Sequence, residues 1–136
     1  MSSVVQTTIV NPKELYDPAP NGYSHVVIAK GGHGIAHIAG QGGEDKYGAL
    51  SSEFSKQVEQ AYANLRTALE AAYIEPHQVV KLTTYVVNYD QSMLDVMTSH
   101  VIQMFGKHLP TQSLVPVPRL ALDGMLFEVD AVAVID

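Results

Sequence analysis

The chain has 136 residues, 46% of them hydrophobic and 16% charged, with a formal net charge of −6 at neutral pH. That is the composition of a folded domain, and the length suits one domain over residues 1–136, burying roughly 65–70% of the surface of its unfolded chain. The absence of cysteine excludes disulfides, thiolate-bound zinc and a thiol nucleophile, and eight basic residues scattered singly offer a phosphate backbone no patch. Nucleic acid is therefore not an expected partner. No apolar run approaches the ~18–20 residues of a membrane span. The opening MSSVVQTTIVNPKELY lacks the basic start and apolar core of a secretory signal, so the cytoplasm is the expected compartment and no membrane association is expected.

Thr7–Val10 reads as a short strand, followed by the turn-rich NPKELYDPAPNGY. Ser24–Lys30 and Gly34–Gly40 read as strands flanking Gly31-Gly32-His33, a hairpin turn by composition. Gly42–Leu50 is a polar loop. Ser51 and Ser52 are candidate helix caps, with Glu53 at the positive end. Phe54, Val58, Ala61, Leu65, Ala68 and Ala72 then recur at helical spacing, which predicts a helix over Ser52–Tyr73 ended by Glu75-Pro76. Val79–Asn88 is β-branched and strand-like. Met93, Val96, Met97, Val101, Met104 and Phe105 mark a second helix with Gly106 at its end, and its methionine stripe is expected in the core.

Two strands close the chain, Thr111–Val117 and Leu126–Ile135. Pro116 and Pro118 cannot donate to a ladder, so the first of these belongs at an edge, bulge or rim. Along Leu126–Ile135 the set Phe127, Val129, Ala131, Ala133, Ile135 faces one way, while Glu128 and Asp130 share the other face with Val132 and Val134. The order β, β-β, α, β, α, β-β predicts an α+β domain, a two-layer mixed sheet with two helices packed on one face. The apolar residues on the other face also need cover, which points to another subunit.

Glu128 is the leading candidate for chemistry. A carboxylate in the middle of an apolar strand is costly to bury unless it is paired or used. Two roles are open to it: handling a proton or water in a site, or lying on an exposed strand face or in a hydrogen bond between subunits. His33 and His37 are four apart, but no third ligand accompanies them, so a metal is not expected. His25 and His37 are open to acid-base or purely structural roles. GGHGIAHIAG lacks the third glycine and following helix of a dinucleotide fingerprint. Nothing calls for a cofactor.

The segment LPTQSLVPVPRLALDGMLFEVDAVAVID, with NGYSH, Ala39-Gly40-Gln41 and QVEQAYANLRTALEAA, resembles the RidA family, also called YjgF/YER057c/UK114, over nearly the whole chain. The resemblance implies a chorismate-mutase-like fold assembled as a homotrimer, with a small-molecule ligand in each intersubunit cleft. It also implies enamine or imine hydrolysis, a deaminase reaction, with Glu128 as the catalytic residue. Tyr23, Gly40, Ala39, Leu114 and Gln112 fall on the family's substrate-binding positions. Three of them depart from its pattern. Ala39 replaces a serine, Leu114 a common cysteine, and Gln112 the arginine that grips a substrate carboxylate. A charge-assisted pair contributes roughly 1.5–3 kcal/mol against about 1 for a neutral hydrogen bond, so activity on 2-imino acids is expected to suffer and specificity to change. Gln112 suits a neutral or zwitterionic ligand, or simply fills the vacated space. Arg119 matches a second arginine of the family, for which a structural or interface role is expected, and Arg66 is expected at the helix surface. The alternative to an enzyme is a non-catalytic, metabolite-binding or regulatory trimer. The endoribonuclease label that some members of the family carry finds no support in this composition.

Overall fold

The computed structural model describes residues 5–136. Its elements in chain order are β1 (Gln6–Val10), β2 (Val26–Lys30), β3 (Gly34–Gly42), α1 (Phe54–Ala71), β4 (Val79–Val87), α2 (Leu94–Phe105), β5 (Thr111–Val117) and β6 (Phe127–Ile135). Four strands form a mixed sheet in the order β3-β6-β4-β5, with β4 and β5 parallel and the other neighbours antiparallel. The apolar stripes of α1 and α2 share one core with Leu82 and Val86 of β4 and with Phe127, Val129, Ala131 and Ala133 of β6. This is the expected two-layer α+β arrangement. None of the helices is long and apolar enough to cross a membrane, among the described residues.

One expectation about pairing is corrected. Gly31-Gly32-His33 does not close a hairpin, because β2 pairs with β1 in a separate two-stranded ribbon while β3 pairs with β6. Gly31 and Gly32 both take positive φ (78° and 77°), and the His33 N–H donates to Ile135 O at 2.9 Å. A Cβ on Gly32 would lie 2.6 Å from that same carbonyl oxygen. Two left-handed residues in succession thus turn the chain out of one sheet and seat it against the end of β6. The last two strands, β5 and β6, are separated in the sheet by β4. β5 is the sheet's edge, where Pro116 leaves no ladder bond unmade on a further neighbour.

The helix boundaries differ from the sequence reading for identifiable reasons. Neither serine caps α1. The Ser51 hydroxyl accepts from the Glu53 N–H at 3.1 Å, and Glu53 itself is the cap, in extended conformation and without a side-chain bond to the helix. One turn in, the fully buried Gln57 donates to Ser51 O and Gly124 O and accepts from the Leu126 N–H, each at 2.8 Å. One amide therefore fixes where α1 starts and where the chain enters β6. Asp90, which the sequence reading passed over, accepts from the Ser92 N–H at 2.7 Å and begins the turn leading into α2.

Proline does not end α1. Tyr73 takes the left-handed conformation (φ 58°), its N–H bonds to Glu70 O at 3.0 Å, and the Ile74 N–H reaches back to Leu69 O at 2.9 Å. This is a Schellman closure, with Ile74 and Leu69 both buried behind it. A tyrosine holds the position usually given to glycine, and its ring is 93% exposed. Tyr73→Gly is expected to raise stability by up to about 1 kcal/mol, because it relieves left-handed strain and removes no packing. Denaturant unfolding of the two chains measures the difference.

Candidate functional site

β6 presents Glu128 on the face of the sheet away from the helices, opposite Gly42 of β3 and Tyr85 of β4. The ladder between β3 and β6 shifts register between Ile38 and Gln41, so Ala39 and Gly40 bulge beside it. The Glu128 carboxyl group lies where a side chain at Gly40 would be: a Cβ built there would sit 1.5 Å from Oε1 and 2.5 Å from Cδ. The absence of a side chain at Gly40 thus leaves the space in which the acid sits.

Three acids gather on this face. Burial pushes the Glu128 carboxyl above its usual value, and the charges of Asp130 and then Glu44 add to the rise. Tyr85 donates its hydroxyl to Asp130 Oδ2 at 3.4 Å, and Asp130 in turn raises the phenol. Glu44 keeps Oε2 buried without a hydrogen-bond partner among the described residues, 2.7 Å from where a Cβ on Gly42 would be. Sequence reasoning missed Glu44, which falls in a polar loop. The only trace of it was the Gly42-Gly43 pair that lets the chain pack tightly just before it.

Gln112 lies elsewhere. It pairs with Leu82 on β4, so it shares the helix-facing side of the sheet, and its Nε2 donates to Gly22 O at 3.4 Å. With Tyr16, Tyr23, Thr84, Leu94, Thr98 and Leu114 it lines a cavity of about 260 Å³ whose walls carry no charged side chain. The approach of NGYSH to this cavity follows from local structure. Gly22 takes φ 80° with space for a Cβ only 3.2 Å from the Thr98 methyl, and the buried Ser24 bonds to Pro110 O and Leu109 O at 3.0 and 2.6 Å. Tyr23 is thereby tied to the start of β5. Tyr16, not singled out from the sequence, stacks edge-on with Tyr23 and with His25, and the His25 Nε2 lies 2.8 Å from Tyr16 O.

The structure therefore assembles the expected residues into two groups. Tyr23, Gln112 and Leu114 meet in the uncharged cavity, while Ala39, Gly40 and Glu128 meet on the opposite face. The other basic candidates stand apart from both. Arg119 is exposed and ion-paired with Asp123, and Arg66 projects from α1. His37 pairs with Val132 on the open face, and no group of three metal-ligating side chains occurs among the described residues. Gly40→Ala is expected to displace the Glu128 carboxyl group and cost about 1–3 kcal/mol as the crowded face readjusts. Thermal unfolding would show the loss, and a crystal structure would show the acid moved off β3.

A family model described as endoribonuclease L-PSP matches residues 15–135. No curated protein sequence matches the chain. Among solved structures, a Rid-family protein of unknown function from Yersinia pestis is 32% identical over 95% of this chain and 98% of its own, with a TM-score of 0.89. A YjgF/YER057c/UK114 family member from Mycobacterium tuberculosis is 27% identical over 96% and 100%, with a TM-score of 0.63. RidA from an Antarctic Psychrobacter is 26% identical over 83% and 88%, with a TM-score of 0.67. The chain belongs to the endoribonuclease L-PSP family, the RidA/YjgF/UK114 family whose pattern its sequence carries.

Proposed function

We propose that the chain acts as a cytoplasmic homotrimer, in which the uncharged cavity of one protomer and the Glu128 face of the next enclose a small molecule. The observation that carries this reading is that Gln112 and Glu128 lie on opposite faces of one sheet. A single copy cannot turn both toward one ligand. The Glu128 face also leaves apolar side chains in solvent, with Ile35 62% and Val115 38% exposed. A second copy laid on that face buries them and supplies the missing acid.

The reaction that suits this site is hydrolysis of an enamine or imine. An enamine first tautomerises to the imine, its terminal carbon gaining a proton as its nitrogen loses one. Ionised Glu128 then takes a proton from water as the water oxygen adds to the C=N carbon, and the proton passes to nitrogen. The resulting amino alcohol collapses to a carbonyl compound and ammonia. Tyr23 walls the substrate and Gln112 orients it through its amide. With no guanidinium in the cavity, nothing there offers a carboxylate a charged pair, so the preferred substrate is neutral or zwitterionic.

Ammonia release from freshly generated 2-aminoacrylate is the direct assay. The native chain is expected to be slow, Gln112→Arg to gain at least tenfold, and Glu128→Ala to lose all acceleration. Fast turnover by the native chain would show that the glutamine is no handicap. Turnover unchanged in Glu128→Ala, or sedimentation as a stable monomer, would dismiss the site. Absence of turnover in every variant, with metabolite binding retained, would favour the binding-protein alternative.

The raised pKa of Glu128 gives an independent check. Its folded value lies above the unfolded one, so its stabilising contribution is complete below the ordinary carboxylate range and is lost as pH rises through the shifted value. Glu128→Gln is therefore expected to gain in Tm relative to the native chain between about pH 4 and pH 7. An unchanged difference across that range would mean that the acid is fully solvated.

A further inference from the structure

Away from both groups, α1 and α2 run side by side and leave a groove of about 190 Å³ between them. Glu59, Tyr62, Ala63 and Arg66 line it from α1 at i, i+3, i+4 and i+7, and His100 and Gln103 line it from α2 at i and i+3. Ala63 leaves room between the longer side chains. Tyr62 is only 4% exposed, and its hydroxyl is buried with no hydrogen-bond partner among the described residues. The His100 ring stacks on the Tyr62 ring at 5.6 Å and 13°. Arg66 makes no ion pair among the described residues, not even with Glu70 one turn on.

A phenol held protonated in a buried place is a donor without an acceptor, and one turn along the helix an unpaired guanidinium offers more donors. Both lack what a carboxylate supplies. Glu59 is two turns from Arg66, about 10 Å along the axis, and offers the opposite charge at the other end. We propose that this groove binds a small ω-amino acid, its carboxylate held by Arg66 and the Tyr62 hydroxyl and its ammonium group by Glu59. His100 forms the wall over Tyr62 and turns aside to admit the carboxylate. The proposal uses no residue of the Gln112 cavity or the Glu128 face, so it stands or falls separately from the function proposed above.

Calorimetric titration with 6-aminohexanoate tests it, with hexanoate and hexylamine as single-charge controls. Saturable binding of 6-aminohexanoate is expected, weaker by at least tenfold in Arg66→Met and in Glu59→Gln, and weaker several-fold in Tyr62→Phe. Arg66 and Glu59 are exposed, and Tyr62→Phe removes an unpartnered buried hydroxyl, so all three variants are expected to fold. Gln112→Ala and Glu128→Gln are expected to bind as the native chain does. No saturable binding at millimolar concentration, or binding that survives both Arg66→Met and Glu59→Gln, overturns the proposal. Loss of binding in Gln112→Ala puts the ligand in the other cavity and overturns it equally, and hexanoate binding as tightly as the probe overturns the zwitterion assignment.

Discussion

Alternation along β6 governs the chemistry of both sides of the sheet. β6 is an interior strand, between β3 and β4, so its register cannot slip without disturbing two ladders at once. Phe127, Val129, Ala131 and Ala133 are under the helices and almost wholly buried. That burial obliges Glu128, Asp130, Val132 and Val134 to emerge on the other side, whatever the cost of gathering like charges there. The acidic face is thus a consequence of the hydrophobic core, reached through the two-residue period of a strand.

What makes the crowding tolerable is the absence of side chains on the neighbouring strand. Gly40 and Gly42 clear the space into which Glu128, Met125 and Glu44 fold. Burial first, and then the charges of Asp130 and Glu44 held close by, make Glu128 give up its proton less readily. Gln57 supports this arrangement from the opposite layer. By holding Gly124 and Leu126 it fixes the approach to β6 two residues before the acid, and a buried amide with three short bonds is a stiff support.

The cavity around Gln112 obeys a different logic. It forms between the edge strand β5 and α2, and the NGYSH segment is tied beside it by a buried serine that donates both its backbone N–H and its hydroxyl to the start of β5. Its walls are phenols, hydroxyls, two amides, a thioether and hydrocarbon. The acid and the amide are separated by the thickness of the sheet, so any ligand that meets both does so between copies of the chain. Assembly is consequently part of the chemistry in this reading.

Residue order alone was enough for the two helices, the strand alternation that pairs Glu128 with Asp130, and the family to which the chain belongs, because these depend on periodicity and local spacing. It was not enough for strand neighbours. Gly31-Gly32-His33 has the composition of a hairpin, yet its partner is the carbonyl of Ile135, about a hundred residues away in sequence. The buried Gln57 and the nearness of Glu44 to Glu128 were equally hidden, since each depends on contacts between segments far apart along the chain, while the helix stop at Tyr73 was hidden because a tyrosine takes the left-handed position that composition assigns to glycine. Tertiary structure alone decided that Gln112 and Glu128 face opposite ways, for the side of a sheet on which a residue emerges is set by the register of its neighbours.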